Sequence, residues 1–89
     1  MAERIDVAPI SEEIAGLIVG GVIDDRLRWL GDARVRVEVG RIFPEGSGHK
    51  RTVQGRRRRL REALIGALAP KGWVHLGRNT FVKVNPQAN

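Results

Sequence analysis

The chain has 89 residues, 42% of them hydrophobic, and a net charge of +6. This length predicts a single domain with a small core, and the apolar content is typical of a folded protein. The absence of cysteine excludes disulfides and thiolate metal sites, and the apolar runs are far shorter than a transmembrane helix of ~20 residues. Because the N-terminal sequence also lacks a signal-peptide pattern, we expect a soluble, cytoplasmic protein with no membrane contact.

Charge is unevenly distributed along the chain. Residues 1–32 contain three arginines against seven carboxylates, whereas residues 33–89 contain thirteen cations against three carboxylates. Most of the cations are arginines, which can bind phosphate through two parallel hydrogen bonds. This asymmetry predicts an anionic partner for the basic part. An alternative is a homodimer in which the acidic part of one copy pairs with the basic part of another.

The N-terminal third predicts a strand followed by a helix. Residues 4–8 alternate in polarity before Pro9, which is typical of a short first strand. Ser11 is a candidate N-cap, and apolar residues at helical spacing predict a helix over residues 11–30 that is ended by Gly31.

Three glycines weaken this first helix. Gly16, Gly20 and Gly21 lie inside it, and each costs ~1 kcal/mol relative to alanine. Two alternatives therefore stay open. Either the stretch GLIVGG forms a short buried strand, or the glycine pair separates two short helices.

The next segment is the most regular strand pattern in the chain. Residues 34–39 alternate between valine and charged residues, which predicts a strand with Arg34 and Arg36 on its solvent face. Ile42 and Phe43 extend this strand beyond a candidate bulge. Residues 44–51, with a proline, two glycines and a serine, predict a loop.

A second helix follows, with Thr52 as candidate N-cap and Pro70 as its end. Its apolar stripe comprises Val53, Leu60, Ala63, Leu64, Ala67 and Leu68.

Four consecutive arginines, Arg56–Arg59, lie near the beginning of this helix. Arg56 and Arg57 fall on the same side as Leu60, and an unpaired buried arginine is very costly. We therefore expect this end of the helix to extend past the core or to lie against an anion. The cations also oppose the helix dipole, so a polyanion would relieve an unfavourable arrangement.

The C-terminal segment predicts a hairpin around residues 77–80. One face would carry Val74, Leu76, Val82 and Val84, and the other would carry Trp73, His75, Phe81 and Lys83. Aromatic residues can stack on bases, but in a domain with so small a core we expect Trp73 and Phe81 to be packed inside.

Together these patterns predict a small α+β domain over residues 1–85, followed by a frayed tail at 86–89. We expect two amphipathic helices on one face of a short sheet, in the order β-α-β-α-β-β. The alternative is a winged helix. No internal repeat is evident.

Catalytic motifs are lacking. The two histidines lie far apart in sequence, and the adjacent carboxylates Asp24 and Asp25 would face different directions on a helix. Glycine-rich phosphate-binding motifs are absent. We therefore expect no enzymatic activity, no catalytic residues, no cofactor and no metal site.

The sequence favours a non-enzymatic nucleic-acid-binding protein, for DNA or RNA, with an accessory or regulatory role. Phosphate contacts are expected from cations of the basic helix, the preceding loop and the hairpin: Lys50, Arg51, Arg56, Arg57, Arg58, Arg59, Arg61, Arg78 and Lys83. The alternative is a small interaction module or inhibitor that docks its basic helix onto an acidic surface of a larger protein partner. Trp29, which lies off the helical stripe, would then be a candidate interface residue.

Overall fold

The computed structural model describes residues 6–84 and shows an α+β fold. The helices in this range are α1 (Ala8–Gly20), α2 (Val39–Ile42), α3 (Lys50–Leu68) and a 3-10 helix (Ala69–Lys71). The strands are β1 (Leu27–Gly31), β2 (Arg34–Val37), β3 (Trp73–Gly77) and β4 (Thr80–Lys83). They form one antiparallel sheet in the order β1-β2-β4-β3.

The core lies between one face of this sheet and the two long helices. The sheet contributes Leu27, Val35, Val37, Trp73 and Phe81, and the helices contribute Ile14, Ile18, Leu60, Leu64 and Leu68. These residues recur at period two along the strands and at helical spacing along α1 and α3. The expected packing of two amphipathic helices on one face of a sheet is therefore confirmed.

The opposite face of the sheet carries exposed and half-exposed side chains, and we call it the open face. Its residues are Arg28, Leu30, Arg34, Arg36, Val74, Leu76, Thr80 and Val82. The expected division of the hairpin is confirmed, because Val74 and Val82 are paired on this face while Trp73 and Phe81 lie in the core.

The chain contains a structural repeat that the sequence did not reveal. Each half consists of a helix followed by a hairpin, and both hairpins carry a bulge at the same place, before Gly31 and before Gly77. The fully buried Val35 and Phe81 occupy equivalent positions. The repeat is hidden in the sequence because few of the equivalent residues are identical. Since β2 and β4 are antiparallel neighbours, the halves are related by an approximate twofold axis perpendicular to the sheet.

The predicted helix over residues 11–30 is wrong, because α1 ends at Gly20 and residues 27–31 form β1. Gly21 adopts a left-handed conformation with φ of 67°, and its N–H donates to the Ile18 carbonyl at 3.1 Å. The next N–H, of Val22, reaches back to the Leu17 carbonyl at 2.9 Å. This is the hydrogen-bond pattern of a Schellman motif, so the glycine pair terminates the helix.

The helix also begins earlier than expected. Pro9 occupies its first turn, where the missing N–H carries no cost. Ser11 is not the N-cap; it is buried, and its hydroxyl donates to the Ala8 carbonyl at 2.9 Å. The Asp6 carboxylate instead accepts the Ala8 N–H at 3.0 Å.

The observed order of elements differs from the expected β-α-β-α-β-β. The predicted first strand lies partly outside the described residues; within them, residues 6–7 belong to no strand and Ala8 begins α1. The winged-helix alternative is not confirmed. The tail expected at residues 86–89 lies outside the described range.

The connection between the two repeats also differs from expectation. Residues 39–42 form the short α2 instead of extending the strand, and α3 begins at Lys50, ahead of Thr52. The N-cap is His49, whose Nδ1 accepts the Arg51 N–H at 3.3 Å. The apolar stripe predicted for this helix is confirmed, with Val53, Leu60, Leu64 and Leu68 all buried.

Candidate nucleic-acid interface

The N-terminal half of α3 is anchored to the rest of the domain. Val53 is only 3% exposed and Phe43 only 6%, and both belong to the core cluster. The expectation that this end extends past the core is therefore wrong. The loop between α2 and α3 folds back against the helix and covers the side on which the apolar stripe lies.

Arg57 lies at the border between this covered side and the exposed side, and it finds a backbone partner in the loop. Its Nε and Nη2 donate to the Phe43 carbonyl at 3.0 and 2.7 Å. A charged donor satisfies a carbonyl that would otherwise be unpaired at the end of α2. Arg57 is thus held by the chain itself and not by an external anion.

The other three arginines of the run point in different directions. Arg56 lies near the loop, where a Cβ added to Gly48 would be 3.7 Å from its Nη1. Arg59 reaches towards Gly55, and a Cβ added to Gly55 would be 3.5 Å from the Arg59 Nη1. Arg58 is exposed to solvent. Four consecutive residues therefore have four environments, as 3.6 residues per turn require.

The exposed side of α3 forms a continuous basic surface, which we call the basic face. It is an open depression of about 460 Å³, lined by Arg51, Gln54, Gly55, Arg57, Arg58 and Arg61. Gly55 has no side chain, and it is half-buried. A neighbouring depression of about 200 Å³ shares Gln54 and Arg57 and adds the loop and Lys50. The expected cations of the helix and loop are thus brought together.

Ion pairs among the described residues lie elsewhere in the molecule. Arg26 contacts Glu13 at 3.1 Å and Asp24 at 2.8 Å, and Arg36 contacts Glu38 at 3.8 Å. Within residues 6–84, no arginine of α3 lies within salt-bridge distance of a carboxylate. Glu62, which the sequence placed next to Arg58 and Arg59 on the helix, forms no ion pair with them in this range. No ion pair among the described residues therefore neutralises the basic face, and the Glu45 carboxylate lines the neighbouring depression without forming one.

The charge of Arg26, unlike that of the α3 arginines, is compensated by the carboxylates of Asp24 and Glu13. Hydrogen bonds from the Arg26 guanidinium and backbone N–H hold the pKa of the Asp24 carboxyl well below its usual range. The same side-chain hydrogen bond raises the pKa of Arg26, with a smaller contribution from Glu13. These residues are engaged in structure, so the acidic part near β1 is partly neutralised.

Two of the expected contact residues lie away from the basic face. Arg78, at the tip of the β3–β4 hairpin with φ of 51°, lines a separate depression on the open face beside Arg34 and Arg36. Lys83 is exposed at the end of β4, opposite Trp73, which follows the C-terminal end of α3. The structure does not bring either residue together with the helix cations.

The aromatic side chains are used in packing. Trp73, Phe81 and Phe43 are buried, as expected for the first two. Trp29 is half-buried; its Nε1 donates to the Val22 carbonyl at 3.0 Å, and its ring meets Trp73 edge-on at 6.1 Å between centroids. Trp29, which the sequence offered as a candidate interface residue, is therefore largely engaged in packing.

Sequence reasoning missed Gln54 and Gly55 as members of the basic face. The available signal was the spacing of residues 51, 54–55 and 58, which places them on one side of a helix. The prediction was based instead on the run of adjacent arginines, which is spread around the helix.

Within residues 6–84, no three histidine or carboxylate side chains cluster in a way that could hold a metal ion. None of the helices in the same range is long and apolar enough to span a membrane. No family model matches the chain, and neither a curated protein nor a solved structure matches it.

Proposed function

We propose that this protein is a non-enzymatic nucleic-acid-binding protein, for DNA or RNA, with an accessory or regulatory role. The observation that supports this proposal is the positive charge of the basic face, which no ion pair among the described residues neutralises. Arg51, Arg58 and Arg61 are the principal phosphate ligands. Lys50, Arg56 and Arg59 flank them.

Arginine suits this role because its planar guanidinium donates two parallel hydrogen bonds to a phosphate. The residues from 51 to 61 span ~15 Å of helix, enough to contact several phosphates. Arg57 contributes less directly, since its Nε and Nη2 are already bonded to the Phe43 carbonyl.

The composition of the basic face favours contacts to the nucleic-acid backbone over contacts to the bases. None of the residues that line the basic face is aromatic, so it offers no platform on which bases would stack. Phosphate contacts provide affinity and orientation but carry little sequence information. We therefore expect binding that depends strongly on salt and only weakly on sequence.

The test is fluorescence anisotropy with labelled duplex DNA, single-stranded DNA and duplex RNA across a series of salt concentrations. If about six phosphates are neutralised, log K falls with log[salt] at a slope near −5 on duplex DNA. Absence of binding at low salt to all three probes would contradict the proposal.

A matched pair of variants locates the contact surface. Arg58→Ala/Arg61→Ala removes two cations from the basic face, so we expect weaker binding and a slope that is smaller in magnitude by about 2. Lys71→Ala/Lys83→Ala removes the same charge at two exposed positions outside it. An equal effect of both pairs would show that only net charge matters and would reject the basic face as the site.

A further inference from the structure

The open face of the sheet is divided into a basic half and an apolar half. Strands β1 and β2 carry Arg28, Arg34 and Arg36, whereas β3 and β4 carry Val74 and Val82 at the paired positions. The boundary is sharp, because Arg34 lies directly opposite Val82 in the register of the two central strands.

Both halves meet in one depression and are available for contact. The depression, of about 370 Å³, is lined by Leu30 and Leu76 together with Arg34, Arg36 and Arg78. Leu30 is 47% exposed and Leu76 is 56% exposed. Leu30 lies on the edge strand β1, whereas Leu76 shares β3 with the exposed Val74, which is paired with Val82. An exposed apolar patch of this kind is typical of a binding surface.

The charges of this face are compensated only in part. Among the described residues, the only carboxylate in salt-bridge range of its arginines is Glu38, which lies 3.8 Å from Arg36 and is itself half-exposed. A ligand for this face must therefore bring negative charge to one side and apolar groups to the other.

Two classes of occupant satisfy only half of this requirement. A second copy packed sheet to sheet would bury arginines without supplying carboxylates, which is costly. A nucleic acid would satisfy the arginines but has little use for Leu30, Leu76 and Val74, since bases stack on aromatic rings and these are aliphatic.

We propose that the open face is a docking surface for an acidic amphipathic helix of a partner protein. Neighbouring strands lie ~4.8 Å apart, and a helix with its side chains is ~10–12 Å across. Lying along the boundary between β2 and β4, such a helix places its carboxylates over Arg34 and Arg36. Its apolar side chains then cover Val74, Leu76 and Val82. The acidic partner considered from the sequence is thereby assigned to the sheet and not to α3.

The proposal is tested with a designed peptide of about 18 residues, five helical turns, that has glutamates on one side and leucines on the other. Its control has the same composition with the two residue types distributed around the helix. We expect the segregated peptide to bind at least tenfold more tightly. In two-dimensional NMR spectra of the labelled protein, it should shift the amide signals of β2, β3 and β4.

Variants of the full chain separate this surface from the basic face. Arg34→Ala/Arg36→Ala and Val74→Ser/Leu76→Ser, all at exposed positions, should each weaken peptide binding at least tenfold. Arg58→Ala/Arg61→Ala should leave it unchanged while weakening nucleic-acid binding. Because NMR mapping uses the unaltered protein, the assignment does not depend on every variant folding.

Four outcomes would overturn the proposal. The first is equal affinity for the two peptides, and the second is signal changes confined to α3. A third is that duplex DNA shifts the open-face signals and the peptide does not, which would make this face part of the nucleic-acid surface. The fourth is concentration-dependent self-association, seen by light scattering and abolished by Val74→Ser/Leu76→Ser, which would identify the occupant as a second copy.

Discussion

Arg57 and Arg58 are adjacent in sequence but differ in what they contact. Arg57 donates two hydrogen bonds to the Phe43 carbonyl, whereas Arg58 is exposed on the basic face. The four-arginine run therefore combines a structural residue with residues free for binding. Removing them as a block would confuse loss of fold with loss of function.

We expect Arg57→Ala to lower the free energy of unfolding by about 1–2 kcal/mol, because the Phe43 carbonyl loses both donors. Arg58→Ala should change stability by less than about 0.5 kcal/mol, since an exposed cation among like charges contributes little. Urea denaturation monitored by tryptophan fluorescence measures both. Equal losses of stability would show that the Phe43 contact is not structural.

Asp24 gives a prediction about pH. Hydrogen bonds from Arg26 lower the pKa of Asp24 in the folded state, so the folded protein binds fewer protons there than the unfolded chain does. The stabilisation is therefore complete above the unfolded pKa of ~4 and is lost as the pH falls through the folded pKa.

Asp24→Asn should accordingly lower the urea midpoint at pH 7, and the difference from the natural chain should shrink as the pH falls below ~4. Urea titrations at several pH values from 7 to 2 measure this. A difference that stays constant over that range would show that Asp24 acts through its shape and not through its charge.

At the scale of the element, a glycine inside α1 and the glycine that follows it have opposite roles. Gly21 lies in the left-handed region at the C-terminal end, where an added Cβ is strained. Gly16 lies inside the helix, and an added Cβ would meet no atom within 4 Å.

Gly21→Ala should therefore destabilise the protein by about 1–2 kcal/mol, whereas Gly16→Ala should stabilise it by about 0.5–1 kcal/mol. Thermal unfolding followed by circular dichroism tests both. If Gly16→Ala were destabilising, a partner would have to pack against that face of α1 in solution.

Strand β1 shows why element type can be ambiguous in a sequence. Leu27 and Leu30 are spaced as on a helix, and together with the preceding apolar residues they continue the pattern of α1. The hairpin forms instead because Leu27, Arg28 and Trp29 can pair with β2. The pairing joins β1 and β2 across a turn, so the periodicity within β1 alone does not predict it.

Over the whole molecule, the repeat places opposite charges at equivalent positions. When the helices of the two repeats are aligned on the buried Ile14 and Leu60, Glu12 and Glu13 correspond to Arg58 and Arg59. The approximate twofold axis therefore relates an acidic region to a basic one. The uneven charge of the sequence therefore gives the domain an acidic side and a basic side, and an anionic ligand favours the basic side.

The small core makes the domain sensitive to single changes. We expect Phe81→Ala, at a fully buried central position, to cost about 3–5 kcal/mol. A domain with so small a core lies towards the lower end of the usual stability range of ~5–15 kcal/mol, so this variant would be partly or wholly unfolded at 37 °C. Leu76→Ala on the open face should change stability by less than about 0.5 kcal/mol. Chemical denaturation distinguishes the two, and similar losses would mean that the open face is buried in solution.

The sequence alone determined the features that depend on local periodicity. The stripe of α3, the alternation of β2 and the two faces of the last hairpin were all predicted, and with them the α+β class. The clustering of cations along α3 was predicted as well, because neighbouring turns of one helix are close whatever the rest of the chain does.

The tertiary structure decided what depends on residues distant in sequence. It paired residues 27–31 with β2 as a strand and gave Arg57 a partner fourteen residues away. It also separated Arg78 and Lys83 from the basic face and left one side of the sheet open. Strand pairing and hydrogen bonds between elements are set by the packing of the whole chain, so no local pattern could have fixed them.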